Sequence, residues 1–355
     1  MSSRYDQLRN FWLGKKVLIT GHTGFKGSWL SIILNQLGAV VSGIGLEPEF
    51  QENLFSSASI ESFTESFICD ITNLEATRKI LKSIEPEYIF HLAAQSLVLE
   101  SYRQPISNHA TNIMGTANML EIIRESSSID AAVFITTDKV YKMEEWIYPY
   151  RETDALGGID PYSASKAACE ILIESYRTSF FDELKIPLAS ARAGNVIGGG
   201  DWSKNRLIPD AIKQWNDGEE LLVRRPQAIR PWQHVIEPLI GYLQLAQAIS
   251  EDGSLSGSFN FGPNAQDAMS VKDVIKILQN NYINGKVKFD ASTSDFHESG
   301  LLTLDISKAK YLLNFEPKWQ TSSAIAYTAK WYKSYYAGQD TYELCLADIE
   351  QYFDE

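Results

Sequence analysis

The sequence has few cysteines and no long apolar run. Its three cysteines, Cys69, Cys169 and Cys345, lie far apart, without the spacing of a zinc site or a disulfide framework. We therefore expect reduced, mostly buried thiols and no metal site. No stretch approaches the roughly 18 apolar residues that a transmembrane helix needs, so we expect no membrane partner.

The N-terminal segment also lacks the apolar core of a secretory signal. Residues 1–10 instead carry the charged side chains Arg4, Asp6 and Arg9. A secretory signal needs an apolar region behind its basic end. We therefore expect the protein to be cytoplasmic.

Basic residues are in deficit. Lysine and arginine total 32 against 45 aspartates and glutamates, which gives a net charge of −13. A chain this acidic repels polyanions, so nucleic acid is excluded as an expected partner. A small anion can still bind, because backbone N–H groups act locally and charges are screened within about 10 Å.

The chain does contain short apolar runs that alternate with longer helical patterns. This alternation predicts an α/β fold, with a doubly wound, parallel Rossmann-type sheet covered by helices on both faces. Strands are predicted at 17–20, 40–46, 88–92, 133–136 and 186–190, and helices at 28–37, 74–84 and 108–124.

After residue 190 the predicted elements become shorter and mixed. A strand at 259–261 and a helix at 271–279 are examples. At 355 residues the chain has room for two modest domains. We predict a dinucleotide-binding domain over 1–190 and a smaller α/β lobe over 191–355 that mainly binds substrate, with some chain crossing back.

A glycine-rich segment follows the first predicted strand and opens the next helix. Gly21, Gly24 and Gly27 have the spacing of a pyrophosphate-binding loop. A purely structural turn is the alternative, since tight strand-to-helix turns also favour glycine. The usual ribose-binding acid is poorly matched, because Glu47 comes late and precedes Pro48, so the choice between NAD and NADP stays open.

A tyrosine and a lysine, Tyr162 and Lys166, lie one helical turn apart. A nearby lysine charge favours the phenolate, so we expect it to lower the pKa of the tyrosine and suit it to take a proton from an alcohol. The segment 136–139 comes earlier, at the end of a predicted strand. Catalytic side chains in such sheets gather at the carboxyl ends of the strands.

Together these parts resemble the extended short-chain dehydrogenase/reductase family, and within it the branch of dehydratases that act on CDP-glucose. The likeness runs along most of the chain. It is carried by 20–27 (TGHTGFKG), 91–98 (HLAAQSLV), 136–139 (TTDK), 150–152 (YRE), 157–166 (GGIDPYSASK), 192–202 (RAGNVIGGGDW) and 229–235 (IRPWQHV).

The resemblance implies that NAD is the cofactor and that a nucleotide sugar is the substrate. It implies a catalytic set in which Thr137 binds the sugar 4-hydroxyl, Tyr162 is the base and Asp138 protonates the departing 6-hydroxyl, while Lys166 binds the nicotinamide ribose. The implied cofactor-binding residues are Gly21, Thr23, Gly24, Phe25, Lys26, Gly27, Asp70, Ile71, Ala93, Ala94, Tyr162 and Lys166. The implied substrate-binding residues are Gln95, Ser96, Asn195, Arg230 and His297.

Lys139 stands where the related dTDP-glucose dehydratases have the glutamate that removes the C5 proton. A lysine accepts a proton only as a neutral amine, so Lys139 is either the base or an electrostatic stabiliser of an enolate. The neighbouring Asp138 favours the second role. One departure leaves the exact sugar and nucleotide open, because Leu99 replaces an expected arginine.

Two other functions are compatible with parts of this pattern. One is a 4-epimerase, or a dehydratase for a GDP-, UDP- or dTDP-hexose. The other is a redox-sensing module that binds a dinucleotide without catalysis, against which the complete catalytic set argues. Apolar and small residues on the helices at 108–124 and 162–180 predict a homodimer, or a dimer of dimers.

Overall fold

The computed structural model describes residues 3–144, 146–290 and 301–355. Its strands are β1 Lys16–Thr20, β2 Val40–Gly45, β3 Glu65–Ile68, β4 Tyr88–His91, β5 Ala131–Ile135, β6 Leu188–Ala193, β7 Val196–Ile197, β8 Leu221–Val223, β9 Ile229–Arg230, β10 Gln233–His234, β11 Gly257–Phe261, β12 Met269–Ser270 and β13 Val287–Phe289. Its α-helices are α1 Arg4–Trp12, α2 Phe25–Gln36, α3 Leu54–Ser57, α4 Leu74–Ile84, α5 Val98–Arg103, α6 Pro105–His109, α7 Gly115–Arg124, α8 Pro161–Tyr176, α9 Asp182–Leu184, α10 Leu207–Asn216, α11 Ile236–Glu251, α12 Val271–Asn281, α13 Ser307–Leu313, α14 Thr321–Tyr336 and α15 Thr341–Asp354.

A central parallel sheet has seven strands in the order β11-β6-β5-β4-β1-β2-β3. Strands β4, β5 and β6 are buried along their whole length, which explains the mostly apolar sequences of β4 and β5. The strand order reverses at β1, which pairs with β2 on one side and β4 on the other. Such a reversal opens a crevice at the carboxyl ends of the strands. The predicted fold class is confirmed.

The sequence analysis did not predict strand β3, and it assigned strand β11 to the second lobe. The edge strand β3 is exposed or half-exposed along its length, so it has no apolar run that would identify it. Strand β11 comes from the part of the chain predicted to form the second lobe. It pairs with β6, with Ser258 beside Ser190, and completes the central sheet.

Apolar side chains fill both sides of the sheet. Trp29 of α2 and Tyr242 of α11 belong to the larger core cluster, on one face. Leu120 of α7 and Ile173 of α8 belong to the smaller one, on the other face. The three cysteines are free thiols, and Cys69 alone among them is only partly buried.

The remaining strands form three two-stranded sheets, β7 with β10, β9 with β12 and β8 with β13. The helix predicted at 108–124 is divided into α6, a π-helical stretch over Ala110–Met114, and α7. A strand-like segment at 301–304 makes only isolated bridges to Ile229 and Tyr150. Across the three described ranges, no helix has the length and apolarity to cross a membrane.

Candidate active site

The glycine loop is a tight turn between β1 and α2. Gly21 has a φ of +78°, which favours glycine, and its carbonyl accepts a hydrogen bond from the N–H of Gly24 at 3.1 Å. A Cβ on Gly27 would lie 2.1 Å from the oxygen of Gly21, so no side chain fits there. Gly24 caps α2 without a side-chain hydrogen bond, which leaves first-turn N–H groups available to an anion.

The side chain of His22 packs beneath this loop. Its Nε2 lies 2.6 Å from the hydroxyl of Ser66, and its ring lies against Gly43. Burial lowers the pKa of His22 to about 4, so the ring is neutral at physiological pH. Thr23 extends toward Gly45, where a Cβ would lie 2.8 Å from the threonine hydroxyl. Two residues of β2, Gly43 and Gly45, must therefore be glycine, because the side chains of the loop pack against them.

Asp70 and Ile71 follow β3, at the same edge of the sheet. Ile71 is buried against Gly115, where a Cβ would lie 2.4 Å from its Cδ1. The carboxylate of Asp70 is exposed and accepts a hydrogen bond from the N–H of Thr72 at 2.8 Å. Glu47 is also exposed, two residues beyond the end of β2. This edge thus presents two carboxylates to the solvent near the end of β2 and β3.

The segment after β4 lies beside the loop. A Cβ on Gly21 would lie 2.8 Å from the nitrogen of Ala93, and Ala94 follows in a partly exposed position. Asn112 fixes Gln95 through its carboxamide, which accepts from the Gln95 N–H at 2.8 Å and donates to the Gln95 carbonyl at 3.0 Å. Ser96 is exposed.

Thr137, Asp138 and Lys139 occupy the turn after β5. The hydroxyl of Thr137 donates to Oδ1 of Asp138 at 3.0 Å, and Nζ of Lys139 lies 3.2 Å from the same oxygen. Asp138 is fully buried, and its Oδ2 has no hydrogen-bond partner within the described ranges. A Cβ on Gly194 would lie 2.9 Å from that Oδ2. Oδ1 of Asp138 therefore anchors the turn, while Oδ2 is shielded from water and free to contact a substrate.

Tyr162 and Lys166 enter the site from the start of α8. Asp160 caps this helix by accepting from the Ser163 N–H at 2.9 Å. Both Tyr162 and Lys166 are buried. The structure differs from the sequence prediction on the tyrosine, because burial raises the pKa of Tyr162 to about 12, although a hydrogen bond with Thr137 opposes the rise.

Lys166 does not act on the tyrosine as expected in this arrangement. Its Nζ donates to the carbonyl of Ile135 at 3.1 Å, and burial lowers its pKa. Tyr162 is consequently protonated at neutral pH, and Thr137 is the side chain that holds its hydroxyl.

A buried ion pair lies under the catalytic turn. Nη2 of Arg192 donates to Oε2 of Glu170 at 2.7 Å, and both side chains are almost fully buried. Glu170 also accepts hydrogen bonds from the hydroxyls of Thr136 and Ser190. Because Thr136 adjoins Thr137 and Glu170 lies one turn beyond Lys166, this network fixes the turn after β5 relative to α8.

The second half of the chain adds Asn195 and Arg230. The Gln233 N–H donates to the carbonyl of Asn195 at 3.0 Å, and the Oδ1 of Asn195 is buried without a partner among the described residues. Arg230 is buried, and Nη1 donates to the Ile229 carbonyl at 2.9 Å. The next residue, Pro231, packs on Gly194, which itself lies against Asp138. The structure therefore brings this segment to the catalytic turn. His297 lies outside the described residues.

Sequence reasoning missed two residues of the site, Arg206 and Asn112. Arg206, the N-cap of α10, donates to Asp201 and to the hydroxyl of Ser96, each at 3.4 Å, and so joins the two parts of the chain. Asn112 donates to the hydroxyl of Ser165 at 2.8 Å. No sequence pattern indicates the π-helical stretch that contains Asn112. No sequence pattern indicates that Arg206 reaches the cleft either.

This arrangement fits a dinucleotide. The loop offers first-turn N–H groups of α2 that have no side-chain cap, in a turn so tight that no side chain fits at Gly27. The described part of the chain has no group of three His, Cys, Asp or Glu side chains suited to a metal ion. The site offers a phenol, a dry carboxyl group and a lysine amine, which are the groups that proton transfers at a sugar require.

Comparison with known proteins places this geometry in a family. Residues 18–328 match the family described as GDP-mannose 4,6 dehydratase. The chain belongs to this family, which lies within the extended short-chain dehydrogenases/reductases. The resemblance inferred from the sequence is confirmed. A CDP-glucose 4,6-dehydratase from Salmonella typhimurium is 41% identical over 350 residues, covering 97% of this chain and 98% of its own.

More distant members of the family share the fold. A dTDP-glucose 4,6-dehydratase from Xanthomonas campestris is 25% identical over 89% of this chain and 92% of its own. The solved structure of a dTDP-glucose 4,6-dehydratase from Streptomyces venezuelae, with NAD and TYD bound, has a TM-score of 0.77 at 20% identity and covers 91% of this chain and 98% of its own. A UDP-glucose 4-epimerase from Brucella ovis in complex with NAD has a TM-score of 0.78 at 19% identity and covers 90% and 98%.

Proposed function

We propose that the chain is an NAD-dependent hydro-lyase that converts CDP-glucose to CDP-4-keto-6-deoxyglucose. The observation that carries this proposal is the Asp138 carboxyl group, which is buried and has one oxygen without a partner in the described chain, beside Thr137 and Tyr162. Elimination of water needs an acid at this place, whereas epimerisation at C4 does not. The identity to the Salmonella typhimurium enzyme supports CDP-glucose as the substrate.

The glycine loop and the segment after β4 would hold the dinucleotide. Backbone N–H groups of Gly24 to Gly27 would bind the pyrophosphate, Asp70 and Ile71 would contact the adenosine, and Lys166 would bind the nicotinamide ribose. NAD, when bound, accepts a hydride from C4 of the sugar and returns it to C6.

Tyr162 takes the proton of the 4-hydroxyl in the first step. Thr137 holds the phenol oxygen by a hydrogen bond and so orients it toward the sugar. Because burial keeps the phenol protonated at rest, Tyr162 passes its own proton to the amine of Lys166, one turn along α8, as it takes the proton of the 4-hydroxyl; burial, which lowers the pKa of Lys166, makes its neutral amine available for this.

Asp138 and Lys139 act on the second half of the reaction. Oδ2 of Asp138 takes the proton from C5 and delivers it to the departing 6-hydroxyl, so that this proton leaves in the water. The amine of Lys139, held 3.2 Å from Oδ1 of Asp138, stabilises the negative charge that develops when the C5 proton is lost. Burial of the carboxyl group excludes bulk water from this step.

Residues of the cleft would bind the nucleotide sugar. Arg230 suits the diphosphate because its guanidinium offers a fork of donors, and Asn195 lies on the same side of the cleft. Gln95, Ser96 and His297 complete the proposed substrate-binding set. In this scheme residues 1–190 bind the dinucleotide and residues 191–355 mainly bind the substrate.

The test is turnover by the purified protein with saturating NAD. CDP-glucose is incubated in parallel with GDP-mannose, UDP-glucose and dTDP-glucose, and the 4-keto product is followed by mass spectrometry. We expect loss of one water from CDP-glucose and little change in the others. If none of the nucleotide sugars is converted, the proposed function is wrong. If another nucleotide sugar is preferred, the substrate is that nucleotide sugar instead of CDP-glucose.

We also propose that the protein acts in the cytoplasm as a homodimer or homotetramer. Helices α6 to α8 carry several large apolar side chains with much of their surface exposed, namely Ile106 at 80%, Met114 at 55% and Ile171 at 61%. Such a patch is typical of an interface. A symmetric pairing of these helices with their copies would cover it.

A further inference from the structure

Helix α8 begins with a proline, so that Tyr162, its second residue, carries the first backbone N–H of the helix. An N–H in the first turn has no acceptor within its own helix. The N-cap residue Asp160 accepts from the N–H of Ser163 at 2.9 Å. The N–H of Tyr162 instead donates at 3.1 Å to the hydroxyl of Ser101, a residue 61 positions earlier in the chain. The start of α8 is therefore capped in part by another element.

The hydroxyl of Ser101 has two fixed partners. Ser101 lies on α5 and is fully buried, and its hydroxyl donates to the Val98 carbonyl at 2.7 Å. A serine hydroxyl has one hydrogen to donate, so the bond to Val98 leaves its oxygen to accept from Tyr162. The oxygen of Ser101 therefore fixes the start of α8 at a set distance from α5.

The carbonyl of Tyr162 is held by a second serine. The hydroxyl of Ser165 donates to it at 2.7 Å, and the same hydroxyl accepts from the carboxamide of Asn112 at 2.8 Å. Both Ser165 and Asn112 are fully buried. Asn112 in turn bonds both backbone groups of Gln95. Both anchors of the Tyr162 backbone therefore lead to the segment that follows β4.

The two anchors differ in what their loss would leave behind. The carbonyl of Tyr162 points along α8, where a regular helical N–H one turn later is its partner, so it stays bonded without Ser165. The N–H of Tyr162 has no helical acceptor, and Ser101 replaces one. Without the Ser101 hydroxyl, this N–H would be a buried donor without a partner, which is costly. The start of α8 would then shift or fray.

The position of Tyr162 decides whether its phenol can react. Thr137 holds the phenol hydroxyl by a hydrogen bond, at the far end of the side chain. Proton transfer requires heavy atoms within hydrogen-bond reach, and a displacement of about 1 Å can cost about 100-fold in rate. The backbone of Tyr162 must consequently be fixed as well as its hydroxyl. Ser101 fixes that backbone where α8 begins.

We propose, on the basis of the dehydratase function above, that Ser101 is a positioning residue for Tyr162, because it holds the backbone from which the phenol reaches the 4-hydroxyl of the sugar. Ser101 is fully buried, so it has no surface to offer to the sugar or the dinucleotide. It acts through Tyr162 alone. Loss of its hydroxyl should therefore slow the oxidation at C4 about tenfold and leave the binding of substrate and cofactor within about twofold.

Single-turnover mixing of the full-length protein, saturated with NAD, with CDP-glucose measures this rate through the absorbance of reduced nicotinamide. Ser101→Ala should be about tenfold slower than wild type, while the KM for CDP-glucose stays within about twofold. The same change is then made in a Tyr162→Phe protein, which has no phenol hydroxyl to position. There Ser101→Ala should cost less than about twofold, because the two residues act as one unit.

Hydrogen exchange at the amide of Tyr162 tests the contact itself, without sugar or dinucleotide. Ser101 protects this amide in wild type, so in Ser101→Ala it should exchange at least about tenfold faster. Mass spectrometry of peptides that cover the start of α8 measures the exchange. Ser101→Cys keeps the shape but offers sulfur, a weaker acceptor. Its exchange and its rate should fall between those of wild type and Ser101→Ala.

Thr328→Val is the matched control. Thr328 lies on α14 and is fully buried, and its hydroxyl donates to the Ala324 carbonyl at 2.8 Å. This change also removes a buried hydroxyl that is bonded to its own helix, but it leaves the cap of α8 intact. Both the rate of C4 oxidation and the exchange at Tyr162 should match wild type.

The other outcomes count against the proposal. An equal loss of rate in both tyrosine backgrounds overturns it, as does an amide of Tyr162 that exchanges in Ser101→Ala as in wild type. If thermal unfolding shows that Ser101→Ala has lost its fold, Ser101→Cys decides by the same two measurements. If wild type reduces NAD with CDP-glucose and Ser101→Ala does so equally fast, only the role of Ser101 fails. If wild type reduces no NAD, the proposed function fails and the role of Ser101 fails with it.

Discussion

At the scale of single residues, the dehydration depends on Asp138. Replacing it with asparagine keeps the shape and the contact to Thr137 but removes the transferable proton. We expect Asp138→Asn to lower the rate of 4-keto product formation at least about 100-fold. Hydride transfer from C4 should persist, and the absorbance of reduced nicotinamide after mixing with CDP-glucose measures it.

The control for this variant is Asp130→Asn. Asp130 lies at the opposite end of the sheet, immediately before β5, where it is half-exposed beside Lys15. This change should leave both signals at the wild-type level. A 4-epimerase would respond to Asp138→Asn only weakly, so an unaffected rate would speak against dehydration.

Substitutions of Lys139 distinguish two roles of its amine when the C5 proton is lost, that of the base and that of an electrostatic stabiliser. This amine lies 3.2 Å from Oδ1 of Asp138 in an ion pair, and we expect it to stabilise negative charge rather than to act as the base. We expect Lys139→Arg to remain within about tenfold of wild type, and Lys139→Met to lose about 100- to 1000-fold. Steady-state rates with CDP-glucose give both numbers.

Lys142→Met is the matched control, since Lys142 is exposed and pairs with Glu144 outside the site. If Lys139→Arg is as inactive as Lys139→Met, the amine must act as the base. If Lys139→Met turns over normally, neither role survives.

The sequence predicted which side chains lie together better than it predicted their environment. Tyr162, Lys166 and Asp138 stand in short motifs whose spacing follows from helix and strand geometry, and the structure brings them together. The predicted effect of Lys166 on the tyrosine was wrong for this structure, because burial outweighs a charge that is directed to the Ile135 carbonyl. Burial depends on residues far away in the chain, such as Tyr242, and no local pattern reports it.

At the scale of elements, α15 is held to β10 by an unusual buried contact. Oδ2 of Asp348 lies 3.7 Å from Nε2 of His234. Burial raises the pKa of Asp348 to about 8 from a usual 3.8, and lowers that of His234 to about 3. Both groups are therefore mainly neutral at pH 7. They are buried with no hydrogen-bond partner for these two atoms within the described ranges.

The stability of the fold should depend on the protonation of this carboxyl group between about pH 4 and pH 8. A raised pKa in the folded state means that the contribution is complete below about pH 4 and is lost as the pH rises through 8. Asp348→Asn should remove this dependence, so the free energies of unfolding of wild type and variant should diverge by up to about 1.4 kcal/mol per pH unit between about pH 5 and pH 8. Denaturant titrations at several pH values measure the divergence.

Glu350→Gln, an exposed change on the same helix, is the control and should run parallel to wild type. His234 acts in the opposite direction, because its lowered pKa costs stability only as the pH falls below 6.5. Parallel curves for Asp348→Asn and wild type between about pH 5 and pH 8 would contradict the raised pKa of this carboxyl group.

Elements with a continuous apolar run were predicted from the sequence, and those without one were not. Strands β1, β4 and β5 lie close to their predicted positions because burial on both faces makes their sequences apolar. The edge strand β3 lacks that signal. The π-helical stretch Ala110–Met114 arises from packing of Asn112 against α8, which helical periodicity does not encode.

At the scale of the whole molecule, the exposed apolar face of α8 offers a test of assembly. Ile171 has 61% of its surface exposed in the single chain. We expect Ile171→Glu to convert the assembly to monomers, because it places a charge in the proposed interface. Sedimentation velocity at micromolar concentration measures the change.

Leu222→Glu is a matched control on β8, where the leucine is 45% exposed and away from these helices. It should leave the assembly intact. A wild-type protein that sediments as a monomer would remove the proposal of a dimer altogether.

The return of residues 257–261 to the central sheet affects how the protein can be made. Strand β6 ends at Ala193, and its neighbour β11 is completed only at Phe261. At about 5–20 residues per second, a ribosome leaves the edge of β6 without its partner for several seconds. An open edge is a template for pairing with other chains. The nascent enzyme therefore passes through a period in which protection of that edge by a chaperone, or by the early docking of α11, decides between folding and aggregation.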